Sequence, residues 1–483
     1  MSGLQLMLSQ RLAAAFSSIA GEPIDPLVQR SAHADLQANG ALALARRLGR
    51  PPRDVAAAAL AVADLDGVAT AEISGPGFLN LSLEPAAIWH SVAERLTDAR
   101  LAVEATQSGV RVVVDYSQPN VAKEMHVGHL RSSVIGDALV RTLRFLGADV
   151  IRQNHVGDWG TNFGMLIAYL DDYGDIGVTG EATMSHLSTL YRAARKVFES
   201  DPAFVERSRA RVVDLQAGEP VAVAAWRDIV AESTRYFDEV YALLGVELTD
   251  ADMVGESFYN PALPDLAARL EELGIAVHSA GALCVFFEGV RGPDGSPVPL
   301  IVRKSDGGFG YAATDLAAVR HRVGTLEADR IVYVVDSRQA LHFRMVFDTA
   351  RRAGWLPSSV QAEHVGFGTV LGADGKPFKT RSGETVRLVS LLDEAIERAA
   401  AVVAEKNPEL PPDQLAARAR EVGIGAVKYA DLATGRTRDY VFDLDRMVSL
   451  SGNTGVYVQY AHARVCSILR KAGRISAEVH VDL

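Results

Sequence analysis

From residue 110 the chain reads VRVVVDYS, a short continuous apolar run such as a strand buried on both faces requires. After QPNVAKEMHVGH comes LRSSVIGDALVRTLRFLG, in which Leu130, Val134, Ala138 and Leu146 recur at roughly helical spacing and Gly147 stands where a C-terminal cap belongs. A second strand-like run, ADVIRQ, opens into the loop NHVGDWG. Strand, helix and strand make one βαβ half of a Rossmann-type sheet, so the pattern predicts an α/β domain. Upstream, residues 4–48 predict two amphipathic helices, ATAEISGPGFLNLSL at 69–83 alternates like a hairpin turning at Gly75, Pro76 and Gly77, and 86–98 reads as helix. This small α+β unit ends in the polar ATQSG at 105–109, which places a boundary near residue 108. Downstream, 180–245 reads as mostly helical, LCVFFEG and VPLIVRK as a hairpin around GPDGS, and RIVYVVDS as another buried strand. Beyond EKNPELPPDQ at 405–414 no strong strand signal returns. The expected organisation is therefore 1–108, an N-terminal α+β domain; 109–370, a Rossmann-type domain with insertions; 371–404, a loop and connecting segment; and 405–483, a helical region.

Composition narrows this picture. At 483 residues the chain exceeds what one core supports, and 48% hydrophobic with 23% charged residues is ordinary for a globular protein. The apolar run near 55–63 is too short to span a bilayer, and MSGLQLMLSQR lacks the basic region and cleavage site of a secretory signal, so a cytoplasmic protein is expected. Two cysteines, Cys284 and Cys466, rule out a disulfide framework and a CxxC zinc site by count. The net charge of −11 argues against a nucleic-acid binder only on average. Two basic runs stand out locally, Arg46, Arg47, Arg50 and Arg53, and Arg464, Arg470, Lys471 and Arg474. Each reads either as a phosphate-facing surface or as a solvated helix face.

The first strand–helix turn has no GxGxxG, and GADGKPF at 372–378 is not a Walker A loop because Lys376 precedes a proline. A dinucleotide dehydrogenase and a P-loop kinase are disfavoured. HVGH at 126–129 offers another device: at a helix N-terminus, where amides and dipole favour an anion, His126 and His129 can donate to phosphate oxygens. Gly128 would let a flat adenine or ribose approach the backbone. Two other readings stay open, a pair of surface or core histidines, and a zinc pair completed by His155 or Asp158, although no HExxH is present.

YSQPNVAKEMHVGHLRSSVIGD, NHVGDWGTNFGMLI, YAATDLAAVRHR, VLGADGKPFKTRSGETV, YADLATGRTRDYVFD and GNTGVYVQYAHARV, in this order, together resemble arginyl-tRNA synthetases of the bacterial type. HVGH corresponds to the HIGH motif of class I synthetases, and FKTRS at 378–382 to the KMSKS loop with one lysine of the usual pair missing. The resemblance implies a class I synthetase catalytic domain of Rossmann type, with an N-terminal α+β domain that contacts the tRNA elbow and a C-terminal helical region. It implies activation of arginine with ATP and Mg2+, transfer to tRNA(Arg), no structural zinc, no membrane, and a monomer. Catalysis would fall to His126, His129, Lys123, Lys379 and Arg381, with Lys376 as a further loop cation. ATP would be held by His126, Gly128, His129, Asp158 and Lys379, and arginine by Asp115, Asn120, His126, Tyr311, Asp315 and Gln339. Asn154, His155, Gly157 and Asp158 would border the adenylate or the tRNA acceptor end, and Gln118 stands where other members often carry Ala or Ser. The resemblance also implies that arginine activation needs bound tRNA. GNTGVYVQYAHARVCSILRKAG resembles the first helix of the family's anticodon-binding domain, most of which would lie past Leu483. A truncated paralogue that binds or regulates without charging is the alternative.

Overall fold

The computed structural model describes residues 3–174, 184–372, 374–376 and 386–473. They fall into two compact units, the chain up to Thr106 together with the stretch from Cys466, and Gln107–Val465. In the first unit, α1 (Gly3–Ala20) buries Leu8, Leu12, Ala15 and Phe16, one face at three- and four-residue spacing. The second helix expected before residue 48 is α2 (Gly40–Leu48), but β1 (Val28–Arg30) and β2 (Leu36–Ala38) intervene as an antiparallel pair. Three-residue strands carry too few side chains to show alternation, and β1 buries only Val28. After α3 (Pro52–Val62), β3 (Ala69–Ser74) and β4 (Phe78–Leu83) form the expected hairpin, paired from Ala69 with Leu83 to Ser74 with Phe78. Its turn needs Gly77: φ is 137°, and a Cβ there would stand 2.8 Å from the Pro52 carbonyl. The sheet order is β1-β2-β4-β3, and α4 (Pro85–Thr97) follows it.

The second unit is built on a parallel sheet. β5 (Arg111–Asp115), buried from Val112 onward, leads through α5 (Val127–Phe145) to β6 (Asp149–Gln153), the expected βαβ half. α6 (Thr161–Tyr173) follows, ahead of the stretch read as helical, and 180–245 then holds α7 (Met184–Ser200), α8 (Pro202–Gln216) and α9 (Pro220–Leu244). Next come α10 (Glu256–Tyr259), α11 (Leu263–Glu272) and an antiparallel sheet of β7 (Val277–Ser279), β8 (Ala282–Val285) and β9 (Leu300–Arg303), the last two being the expected hairpin. α12 (Tyr311–Gly324) returns the chain to the main sheet as β10 (Arg330–Tyr333), and α13 (Ala340–Arg352) leads to β11 (Gln361–His364). The order is β11-β10-β5-β6, all parallel. The chain therefore reverses direction between β5 and β10, and their C-terminal ends flank the switch point at which open α/β sheets bind ligands. β11 reads QAEH and pairs only with β10; as an edge strand with no fully buried residue it leaves no apolar run to detect.

β12 (Val370–Leu371) pairs in parallel with β13 (Tyr440–Val441). Between them α14 (Leu388–Lys406) and α15 (Pro412–Ala433) form a helical hairpin whose turn is the prolyl stretch. Gly423 permits their close approach, since a Cβ there would stand 2.8 Å from the Ala395 carbonyl oxygen. α16 (Leu444–Met447) and α17 (Gly455–Lys471) complete the described chain. No helix among the described residues is long and apolar enough to cross a membrane.

Candidate active site

The helix start at HVGH is capped by its own histidines. His126 is the N-cap; its Nδ1 accepts the Gly128 amide at 3.0 Å, and His129 Nδ1 accepts the His126 amide at 3.0 Å. The rings lie 4.0 Å apart, tilted by 39°. With both Nδ1 atoms accepting, the neutral rings carry their protons on Nε2, and each offers one N–H donor. Burial, then His126, pushes His129 down to about 3. Burial, then Lys123 and Arg338, lowers His126. Both are thus neutral donors rather than cations near neutral pH. Gly128 has an internal reason to be glycine, since a Cβ would stand 2.7 Å from the His126 ring.

The two signature segments are joined by backbone. Val127 N donates to Val386 O at 3.0 Å and Leu388 N to Met125 O at 2.8 Å, so His126 and Arg387 form an antiparallel bridge. Arg387 also reaches Glu124 at 3.3 Å. Chain leaving the FKTRS stretch is thereby pinned to the start of HVGH. Lys379 and Arg381 themselves lie outside the described residues. Lys376 is exposed, and the Lys123 ammonium sits 4.5 Å from the centre of the Tyr191 ring, a cation–π contact.

Acidic groups gather at the C-terminal side of the sheet. Asp315, on α12, accepts from His342 Nε2 at 2.6 Å, and Tyr311 stands edge-on to His342 at 5.0 Å with 68% of its surface exposed. Glu256, at the start of α10, has no partner for its carboxylate among the described residues, and burial, then Asp158 and Asp315, raises it to about 7. A half-buried carboxylate beside two others resists ionisation, because burial and like charge both disfavour its anion. Asn120 is exposed and bridges to Gly157, whose absent Cβ would stand 2.6 Å from Asn120 Oδ1. Gln339, exposed, begins α13.

A family profile described as tRNA synthetases class I (R), catalytic domain, matches residues 91–444, and one described as arginyl tRNA synthetase N terminal domain matches residues 4–83. The chain belongs to the arginyl-tRNA synthetases. It is 58% identical to an arginine–tRNA ligase of Frankia casuarinae, over 95% of this chain and 80% of that protein, and 56% identical to one of Streptomyces avermitilis, over 100% and 84%. The crystal structure of arginyl-tRNA synthetase from Plasmodium falciparum is similar with a TM-score of 0.83 at 28% identity, covering 99% of this chain and 83% of that one. Nothing among these relatives favours the non-charging alternative.

Within this synthetase two expected ligands are already engaged. Asp115 is 1% exposed; its Oδ2 accepts from Arg322 Nη2 at 2.8 Å and its Oδ1 from the His155 amide at 3.2 Å. The guanidinium it holds is therefore the chain's own, in a pair buried on both sides, rather than a substrate's. Asp158, expected at ATP, is 4% exposed and accepts from Ser257 N at 2.9 Å and Ser257 Oγ at 2.5 Å, tying the loop after β6 to α10. Gly255 beside it could carry no side chain, as a Cβ would overlap the Asp158 carboxylate. Asn154 is buried between the Gln118 amide and Tyr241, and His155 stacks on Tyr259 at 5.6 Å. Among the described residues no three His, Cys, Asp or Glu side chains converge as metal ligands would. Glu256 and His342 were not foreseen: each has meaning only beside Asp315, 59 and 27 positions away in the chain.

Proposed function

We propose that the chain is an arginine–tRNA ligase, which joins arginine to ATP as arginyl-adenylate and passes the arginyl group to tRNA(Arg). The observation that carries this reading is the pair of neutral Nε2–H donors at the N-terminus of α5, in the same unit as the carboxylates Glu256 and Asp315. In the first step the arginine carboxylate attacks the ATP α-phosphorus and pyrophosphate leaves; in the second a terminal ribose hydroxyl of tRNA attacks the acyl carbon and AMP leaves. Neither step needs an enzyme nucleophile. His126 and His129 donate to phosphate oxygens as charge builds there, where one well-placed donor is worth about 2.7–4 kcal/mol. ATP enters as its magnesium complex. Lys123, Lys379 and Arg381, with Lys376, supply cations around the leaving pyrophosphate, and Gly128 keeps the backbone accessible. Asp315, held at one oxygen by His342, and Glu256 grip the guanidinium, with Tyr311, Gln339 and Asn120 around it. Asp115 and Asp158 act from behind, by fixing Arg322 and α10.

In the same reading 1–108 meets the tRNA elbow, 109–370 performs the chemistry, 371–404 carries the phosphate-facing loop and 405–483 begins the anticodon-side helices. The enzyme works as a cytoplasmic monomer. The test is charging of bulk tRNA with labelled arginine and ATP: acid-precipitable arginyl-tRNA and matching AMP are expected. Absence of both at saturating tRNA would overturn the reading.

A further inference from the structure

Between β5 and α5 the chain has no ladder or helix to satisfy its amides, and it holds Ser117, Gln118 and Ala122 at φ of 76°, 55° and 61°, the left-handed region that non-glycine residues avoid. Three amides in its second half end on hydroxyls borne by α7 and α9. Ala122 N donates to Ser233 Oγ at 3.0 Å, Glu124 N to Ser188 Oγ at 3.0 Å and Met125 N to Tyr236 OH at 3.2 Å. Tyr241 OH lies 2.8 Å from Ser117 Oγ, which is 3.0 Å from Ser133 Oγ, itself 2.9 Å from the His129 carbonyl oxygen. Lys123, the residue between two of these amides, rests on Tyr191 of α7. Ser233, Tyr236 and Tyr241 lie on one side of α9, so a single helix face presents three of the four hydroxyls. An apolar helix pair could bury as much surface; what these two helices add is acceptors placed where an irregular loop needs them.

We infer that α7 and α9 are the template that holds the HVGH loop in its reacting shape, and that Ser188, Ser233 and Tyr236 are positioning residues for adenylate formation. The inference rests on the ligase reading above. Removing one hydroxyl orphans an amide and releases the left-handed residues beside it, and the two histidine donors shift with the loop. The two carboxylates that grip the guanidinium, Glu256 and Asp315, stand on α10 and α12, outside the loop, and Asn120, the pocket residue within it, is tied to Gly157 rather than to a hydroxyl of α7 or α9. The effect therefore falls on kcat and not on arginine KM.

The experiment uses the full chain with tRNA present, measuring ATP–pyrophosphate exchange for Tyr236→Phe, Ser188→Ala and Ser188→Thr, with hydrogen exchange at the amides of 122–125 as a second readout. An inactive parent would count against the ligase reading; the amide readout judges the template independently of activity. Expected are a fall in kcat on the order of 10- to 100-fold in Tyr236→Phe and Ser188→Ala, arginine KM within about twofold of the parent, faster exchange at Glu124 and Met125, and recovery in Ser188→Thr. Unchanged kcat and amide exchange in both hydroxyl deletions would overturn the inference. So would a loss seen in arginine KM alone, or a threonine variant as impaired as the alanine.

Discussion

A single methyl group tests how HVGH works. In Gly128→Ala the new Cβ meets the His126 ring, which must swing away and give up the Gly128 amide that fixes its tautomer. A fall in ATP–pyrophosphate exchange on the order of 10²-fold is expected, with thermal stability little changed; a parent-like rate would mean the cap has no catalytic part. Glu256 makes the complementary electrostatic prediction. Its value near 7 in the folded chain means that Glu256 is largely protonated below neutrality, and an arriving guanidinium must displace that proton. Arginine KM should fall as pH rises through about 7, and Glu256→Gln should raise KM and flatten that dependence; a profile identical in parent and variant would remove Glu256 from the pocket. The sign for stability follows from the same shift. Between the ordinary carboxylate range and about 7 the folded chain binds more protons than the unfolded one, so Glu256 favours folding at low pH and loses that contribution as pH climbs. HVGH itself was legible because its four residues are contiguous. The acid pocket was legible only in part, because Asp315 announces itself in YAATD whereas Glu256 and the pairing of Asp115 with Arg322 depend on residues brought together from distant elements.

At the scale of elements, the joint between α5 and the helical hairpin turns on one buried arginine. Arg131, five residues past His126, is 1% exposed. It pairs with Asp431 of α15 at 3.3 Å, donates to Gly368 O at 2.8 Å and Arg438 O at 2.9 Å, and lies 5.2 Å from the Tyr440 ring centre. Both partners are fully buried, and burial still raises Asp431 despite the cation beside it. Losing the arginine alone would leave that carboxylate uncompensated, at a cost of about 3–5 kcal/mol. Arg131→Met should therefore lower Tm markedly, and adding Asp431→Asn should recover part of the loss. If the double variant were as unstable as the sum of two separate lesions, the pair would not be coupled. None of this was readable beforehand, since an arginine on an otherwise apolar helix face gives no hint of its acceptor. The elements themselves were readable where an apolar period was long enough, as in β5, α5 and the β3–β4 hairpin. They were not where strands were two or three residues long, as in β1, β12 and β13, or polar, as in β11.

For the whole molecule, a chain of net charge −11 has to bind a polyanion, so the attraction must come from where its cations are placed. Arg46, Arg50, Arg464, Arg470 and Lys471 are all exposed, Arg47 is engaged with Glu22, and Arg53 reaches the Gly75 carbonyl at 2.6 Å; Arg474 lies outside the described residues. Engaged arginines contribute less to phosphate binding than those facing solvent. Each exposed cation that meets a tRNA phosphate releases counterions and adds a little under one unit to the slope of log affinity against log salt. Filter binding of tRNA between 50 and 200 mM salt should thus give a steep slope, and the double variant Arg46→Gln with Arg50→Gln should reduce it by about one to two units. Charging at saturating tRNA should stay close to that of the parent, because neither residue touches the reacting groups. A slope unchanged by the double variant would assign those arginines to solvent and leave the first unit without its part in binding tRNA. A slope reduced together with charging at saturation would instead give them a role in ordering the catalytic site, through the dependence of arginine activation on bound tRNA that the family resemblance implies.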